Sequence, residues 1–174
     1  MKTAFLIITS CLLFSCSSSV NTIESNKDES YQKRSSKLFM VVYTTAESEN
    51  LMEKVAESVS SSLDSIKIES TYYLQESSSL ALSPELPRKE IVFFGPDALM
   101  IIGIEGGRYY NNDLTDLQLG IAIYDPESQK IVWKAQIDSK KSFGLGGIEN
   151  KIAMERLGNS IVNKMIEDEL LNIK

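Results

Sequence analysis

From residue 37 onward the apolar positions change period several times, and each change marks a predicted element. KLFMVVY, Lys37 to Tyr43, is apolar at nearly every position and β-branched, which predicts a central strand buried on both faces. In SENLMEKVAESVSSSLDS, Ser48 to Ser65, Leu51, Val55, Val59 and Leu63 recur every four residues with Met52 alongside. Glu49, Glu53 and Glu57 fall elsewhere on the cylinder, so this is a helix, with Ser48 as its cap. IKIESTYYL, Ile66 to Leu74, alternates and predicts a strand. Gln75 to Pro96 then holds Pro84, Pro87 and Pro96 and predicts a long connection.

The second half is sharper. DALMIIGIEG, Asp97 to Gly106, is a nearly unbroken apolar run closed by glycines, another buried strand. Leu117, Leu119, Ile121 and Ile123 alternate with Gln118, Gly120 and Ala122. After a turn at Asp125-Pro126-Glu127-Ser128 the alternation resumes with Ile131, Trp133, Ala135 and Ile137, which predicts an antiparallel hairpin with one apolar face. Between Glu149 and Leu171, Met154, Leu157, Ile161, Met165 and Leu170 follow helical spacing. Gly158 lies inside that helix at a cost of about 1 kcal/mol relative to Ala, which points to close approach of the helix to the sheet. The order is β-α-β, a long loop, β-β-β, then α. It predicts an α/β fold of the α+β type, a single mixed β-sheet covered by two helices.

The first 36 residues have another character. Lys2, an apolar run from Ala4 to Phe14 interrupted by Thr9, Ser10 and Cys11, and the small residue Ser15 have the layout of a secretory signal. A run of about eleven residues is too short to cross a bilayer, which takes about twenty. Leu13-Phe14-Ser15-Cys16 resembles the bacterial lipobox, although Phe14 occupies a position that usually holds a smaller residue. The resemblance implies a diacylglyceryl thioether on Cys16, an acylated amino terminus, and attachment to a membrane through these chains. Ser17, with no Asp there, points to the outer membrane by the enteric sorting rule. SSSVNTIESNKDESYQKRSS, Ser17 to Ser36, is too polar to fold by burial. The chain is therefore expected to divide into a signal peptide at 1–15, a lipid-anchored flexible tether at 16–36 and an α/β domain at 37–174. An arm packed on the domain is the alternative for the second segment.

Charge narrows the partners. The chain carries 18 basic and 24 acidic residues, a net charge of -6. With no concentrated basic patch it lacks what nucleic acid requires, and the expected membrane contact is the lipid alone. Asp97-Ala98-Leu99-Met100-Ile101-Ile102-Gly103 and the Tyr124 to Trp133 hairpin resemble the TolB amino-terminal-like domains of bacterial envelope lipoproteins, the CsgG and LpoB type. In this chain Ser128-Gln129 stands where that hairpin usually has Thr-Gly. The resemblance implies a non-catalytic accessory or assembly factor acting through an envelope protein partner, with a homo-oligomer as a further option.

Candidate chemistry is sparse. There is no histidine, so the usual general base and the commonest zinc ligand are missing. No nucleophile constellation can be assembled, and the paired acids Asp113 and Asp116 sit in a turn-rich stretch. An enzyme, a metal site and a cofactor are not expected. Two binding candidates remain. Arg108, Tyr109 and Tyr110 are of types enriched at binding hot spots and suggest a partner-facing hairpin loop, unless the tyrosines merely continue a strand. Gly144, Gly146 and Gly147 precede the last helix and could expose N–H groups to an anion, although positive backbone angles alone would explain them. The alternative function is a ligand-binding or sensor lipoprotein that uses the loop at 75–96 or the glycine loop at 143–151.

Overall fold

The structure, a computed structural model, describes residues 18–76, 87–110, 113–143, 148 and 150–173. Its elements are β1 (Ser18–Lys27), β2 (Lys37–Thr44), α1 (Glu49–Ser65), β3 (Glu69–Glu76), α2 (Arg88–Phe94), β4 (Ala98–Tyr110), β5 (Asp113–Asp125), β6 (Lys130–Phe143) and α3 (Lys151–Glu167). The strands form one mixed sheet in the order β1-β6-β5-β4-β2-β3. β2 runs parallel to both β3 and β4, whereas β4, β5, β6 and β1 form an antiparallel succession.

Burial explains this order. β2 lies inside the sheet and is covered on both faces. Leu38, Met40 and Val42 enter the main core beneath α1 and α3, while Phe39 and Val41 join Leu99 in a smaller cluster on the opposite face. The main core takes Val55, Val59 and Leu63 from α1, Leu157 and Ile161 from α3, and Leu119, Ile123, Trp133 and Ile137 from the hairpin. The sequence thus meets a single mixed sheet with α1 and α3 on its apolar face, as its periodicity predicts. Two of its details differ. Ser48 makes no capping bond, because its hydroxyl instead accepts from Thr45 N–H at 2.9 Å. Gly158 is pressed against α1, not the sheet: a Cβ there would lie 2.5 Å from the Ser58 carbonyl oxygen.

The connection expected over 75–96 is also shorter than its sequence suggests. Its first residues finish β3, and α2 occupies 88–94; residues 77–86 lie outside the described set. α2 starts after Pro87 and stops at Gly95, whose φ of 63° is readily adopted without a Cβ. It packs the half-buried Phe94 against Phe39, ring centroids 5.9 Å apart, with the Lys37 ammonium 4.4 Å above the Phe94 ring.

The tether expected over 16–36 is corrected from residue 18 onward. Ser18–Lys27 is an edge strand hydrogen-bonded to β6, with Ile23 opposite Ile137 and Lys27 opposite Trp133. Its inner side chains are mostly polar and find polar partners on α3 and at Asp168, the residue that caps its carboxyl end. Asn21 donates to Ser160 Oγ at 3.1 Å, Ser25 donates to Asp168 at 2.6 Å, and Lys27 donates to the Asp168 carbonyl at 2.8 Å. Beyond the strand, Lys33 pairs with Asp125 at 3.1 Å and Arg34 with Glu169 at 3.1 Å. Ser35 N–H donates to the Leu170 carbonyl, and Asn172 N–H to that of Ser35. The segment adds Tyr31 and Ile23 to the main core, but most of its contacts are hydrogen bonds and ion pairs, so composition alone misreads it.

Asp168 joins these parts. Besides Ser25 it accepts from the indole N–H of the buried Trp133 at 2.7 Å and pairs with Lys164 at 3.0 Å. Burial pushes its carboxyl up, but the hydrogen bonds from Ser25 and Trp133 and the Lys164 ammonium together hold it below its ordinary value of 3.8. Its contribution is therefore full at neutral pH and is lost as the pH falls through the lowered folded value. Asp168→Asn is expected to cost about 2 kcal/mol at neutral pH, from the loss of charged hydrogen bonds. Urea titrations at neutral and strongly acidic pH should show the difference from the parent protein shrinking with acid. Gly158→Ala should destabilise by about 1–2 kcal/mol in the same assay, because overpacking against the α1 backbone outweighs the gain in helix propensity.

Candidate functional site

The long strands bring the first candidate to one end of the sheet. β4 is buried as far as Ile102, where its pairing with β2 ends, and then continues with β5 as a ribbon. Val20, Lys140, Asp116 and Arg108 lie in one hydrogen-bonded row across β1, β6, β5 and β4. Two residues further along, Ser18 pairs with Phe143, and Tyr110 pairs with Asp113. α3 begins at the same end: Ile148 N–H donates to the Leu114 carbonyl at 2.9 Å, and Asn150 caps the helix by accepting from Ala153 N–H.

Arg108, Tyr109 and Tyr110 do continue a strand, and they are also exposed. Tyr110 is 70% accessible, and the Arg108 guanidinium lies 3.5 Å from the Asp116 carboxylate. Thr115 Oγ1 donates to the Arg108 carbonyl at 3.0 Å, which fixes the backbone under these side chains. Asp116 is thus one member of an ion pair. Among the described residues no group of three or more His, Cys, Asp or Glu could hold a metal. Cys16, Gly144, Gly146 and Gly147 lie outside the described residues. Next to the glycine loop, the N–H groups of Ile148 and Ala153 are already engaged within the protein.

Two features escape a reading of the sequence. On α2, Val92 and Phe93 face outward, Phe93 being 94% accessible. Pro87 and Gly95 bracketing an apolar segment were the signal for that helix. A groove between α1 and β3 is lined by Glu57, Asp64, Glu69, Ser60, Ser70 and Tyr72, with the two serine hydroxyls 3.0 Å apart. Burial and the Glu57 and Glu53 carboxylates push the Tyr72 hydroxyl up. An acidic groove of this kind disfavours phosphate.

No family model matches the chain, and no curated protein sequence matches it. A solved structure does. The fold resembles that of PelC from Paraburkholderia phytofirmans, solved as a dodecamer, with a TM-score of 0.57 and 12% identity over 87% of this chain and 98% of the other. A methionine-substituted variant of PelC, also a dodecamer, matches at a TM-score of 0.55 and 11% identity, covering 88% of this chain and 100% of that one. At such identity the likeness to PelC is one of fold.

If the hairpin end is a surface for contact rather than part of the core, its side chains are dispensable for folding. Arg108→Ala and Tyr110→Ala should each change unfolding free energy by no more than about 0.5 kcal/mol; thermal and urea melts check this, and a larger loss would place these residues among the structural ones.

Proposed function

We propose that this chain is a membrane-anchored lipoprotein of the bacterial cell envelope, attached through lipid on Cys16 and probing no chemistry of its own. It acts as an accessory or assembly factor through protein-protein contact, and the outer membrane facing the periplasm is its proposed location. The resemblance of its hairpin to TolB amino-terminal-like lipoproteins and the layout of residues 1–16 support the anchor.

The observation that carries the assembly role is the likeness, over 98% of PelC, to a protein solved as a dodecamer. The sheet offers a route to self-association. Its two outer strands, β1 and β3, are unlike in sequence and each has an edge without a strand partner among the described residues. Two unlike surfaces of one chain suit a head-to-tail contact, which closes into a ring when the rotation allows. A ligand-binding role through the glycine loop has less behind it, since the neighbouring Ile148 and Ala153 N–H groups are engaged.

Intact mass spectrometry of the amino-terminal peptide from host membranes, with light scattering of the detergent-extracted protein, tests this reading. A lipid-modified Cys16 and a particle several times the 19.4 kDa chain mass are expected. An unmodified terminus elsewhere, with a monomer that retains a small molecule, would replace it with the ligand-binding role.

A further inference from the structure

We infer that the end of the sheet bearing Tyr109, Tyr110 and Ile152 is a lipid-facing surface, seated at the headgroup level of the membrane that holds the anchor. This rests on the reading of Cys16 as the lipidated residue and adds to it an orientation and a set of contact residues.

Ser18 is already in β1, paired with Phe143, and Cys16 precedes it by two residues. Two residues span at most about 7 Å. A lipid on Cys16 therefore enters the bilayer next to this end of the sheet, without the twenty-residue spacer that composition suggests. The row Val20, Lys140, Asp116, Arg108 places β4 three strand spacings from β1, about 14 Å away. Tyr109 and Tyr110 extend past that row on β4, just as Ser18 and Ser19 extend past it on β1. The membrane surface that receives the lipid must then lie close to both tyrosines.

The side chains at this end suit that surface. Tyr109 and Tyr110 are exposed, and Tyr is enriched where a ring can meet lipid while its hydroxyl stays wet. Ile152, in the first turn of α3, is exposed as well, and α3 is pinned here by the bond from Ile148 N–H to Leu114. Lys140 supplies a cation whose stem can lie along lipid while its head reaches phosphate. The acids Asp116 and Glu155 are each offset by a cation, Arg108 at 3.5 Å and Lys151 at 3.8 Å. The other strongly exposed apolar pair, Val92 and Phe93, is on α2, whose carboxyl end leads through Gly95 into the start of β4. That is the opposite end of the strand from Tyr110, so α2 makes a built-in comparison.

The test uses the full chain purified from host membranes, with its amino-terminal peptide weighed, and reconstituted into phosphatidylethanolamine-phosphatidylglycerol vesicles with or without brominated acyl chains. Tyr110→Trp and Phe93→Trp each add one indole to a protein whose own Trp133 is buried. With lipid on Cys16, the added indole of Tyr110→Trp should shift to the blue and lose emission in brominated vesicles, while that of Phe93→Trp should do neither. If Cys16 carries lipid and Tyr110→Trp shows no quenching, or both variants are quenched alike, the orientation is wrong although the anchor stands. If Cys16 carries no lipid, the anchor and the orientation fall together.

Discussion

The hydrogen bond between Trp133 and Asp168 is the point on which the architecture turns. Trp133 is the largest fully buried side chain, and its indole N–H needs an acceptor. Asp168, one residue past α3, supplies it at 2.7 Å. A half-buried carboxylate is best held by more than one donor, and Ser25 and Lys164 provide the rest. One side chain thereby fixes the carboxyl end of α3 over β6 and draws β1 onto the sheet. Asp97 plays a similar part at the start of β2, accepting from Ser36 N–H at 2.8 Å and from Lys37 N–H at 3.0 Å.

How much could be read from the residues follows from which force shapes each element. β2, α1, β4, the β5-β6 hairpin and α3 are all set by apolar burial, which leaves a period in the sequence. The mixed sheet and its helical cover could be read for that reason. β1 is held by Asn21, Ser25 and Lys27, whose partners sit well over a hundred residues away. No local pattern announces such a strand, and its composition resembles that of an unfolded linker. α2 spans seven residues, too few for a helical period to show. Of the candidate residues, Arg108, Tyr109 and Tyr110 could be chosen by type, but their height on the sheet relative to Ser18 depends on β1 pairing and could not.

The departures from regular geometry are similarly informative. Gln129 takes a φ of 56° in the β5-β6 turn, a backbone region that favours glycine. An L residue there costs roughly 1–2 kcal/mol, offset in part by Asp125, which accepts from Ser128 N–H at 2.9 Å and pairs with Lys33. Lys33 belongs to the segment that follows β1, so the amino-terminal arm also steadies the turn it lies beside.

The pairing of the first strand with the last has a consequence in time. A chain that emerges amino end first holds β1 without a partner until residues 133–143 have followed it, and without its Asp168 contacts until later still. Loop closure over such a distance makes this docking slow and late. The amino-terminal strand thus stays unpaired throughout emergence, and its docking on β6 completes the sheet only after the rest of the sheet is in place.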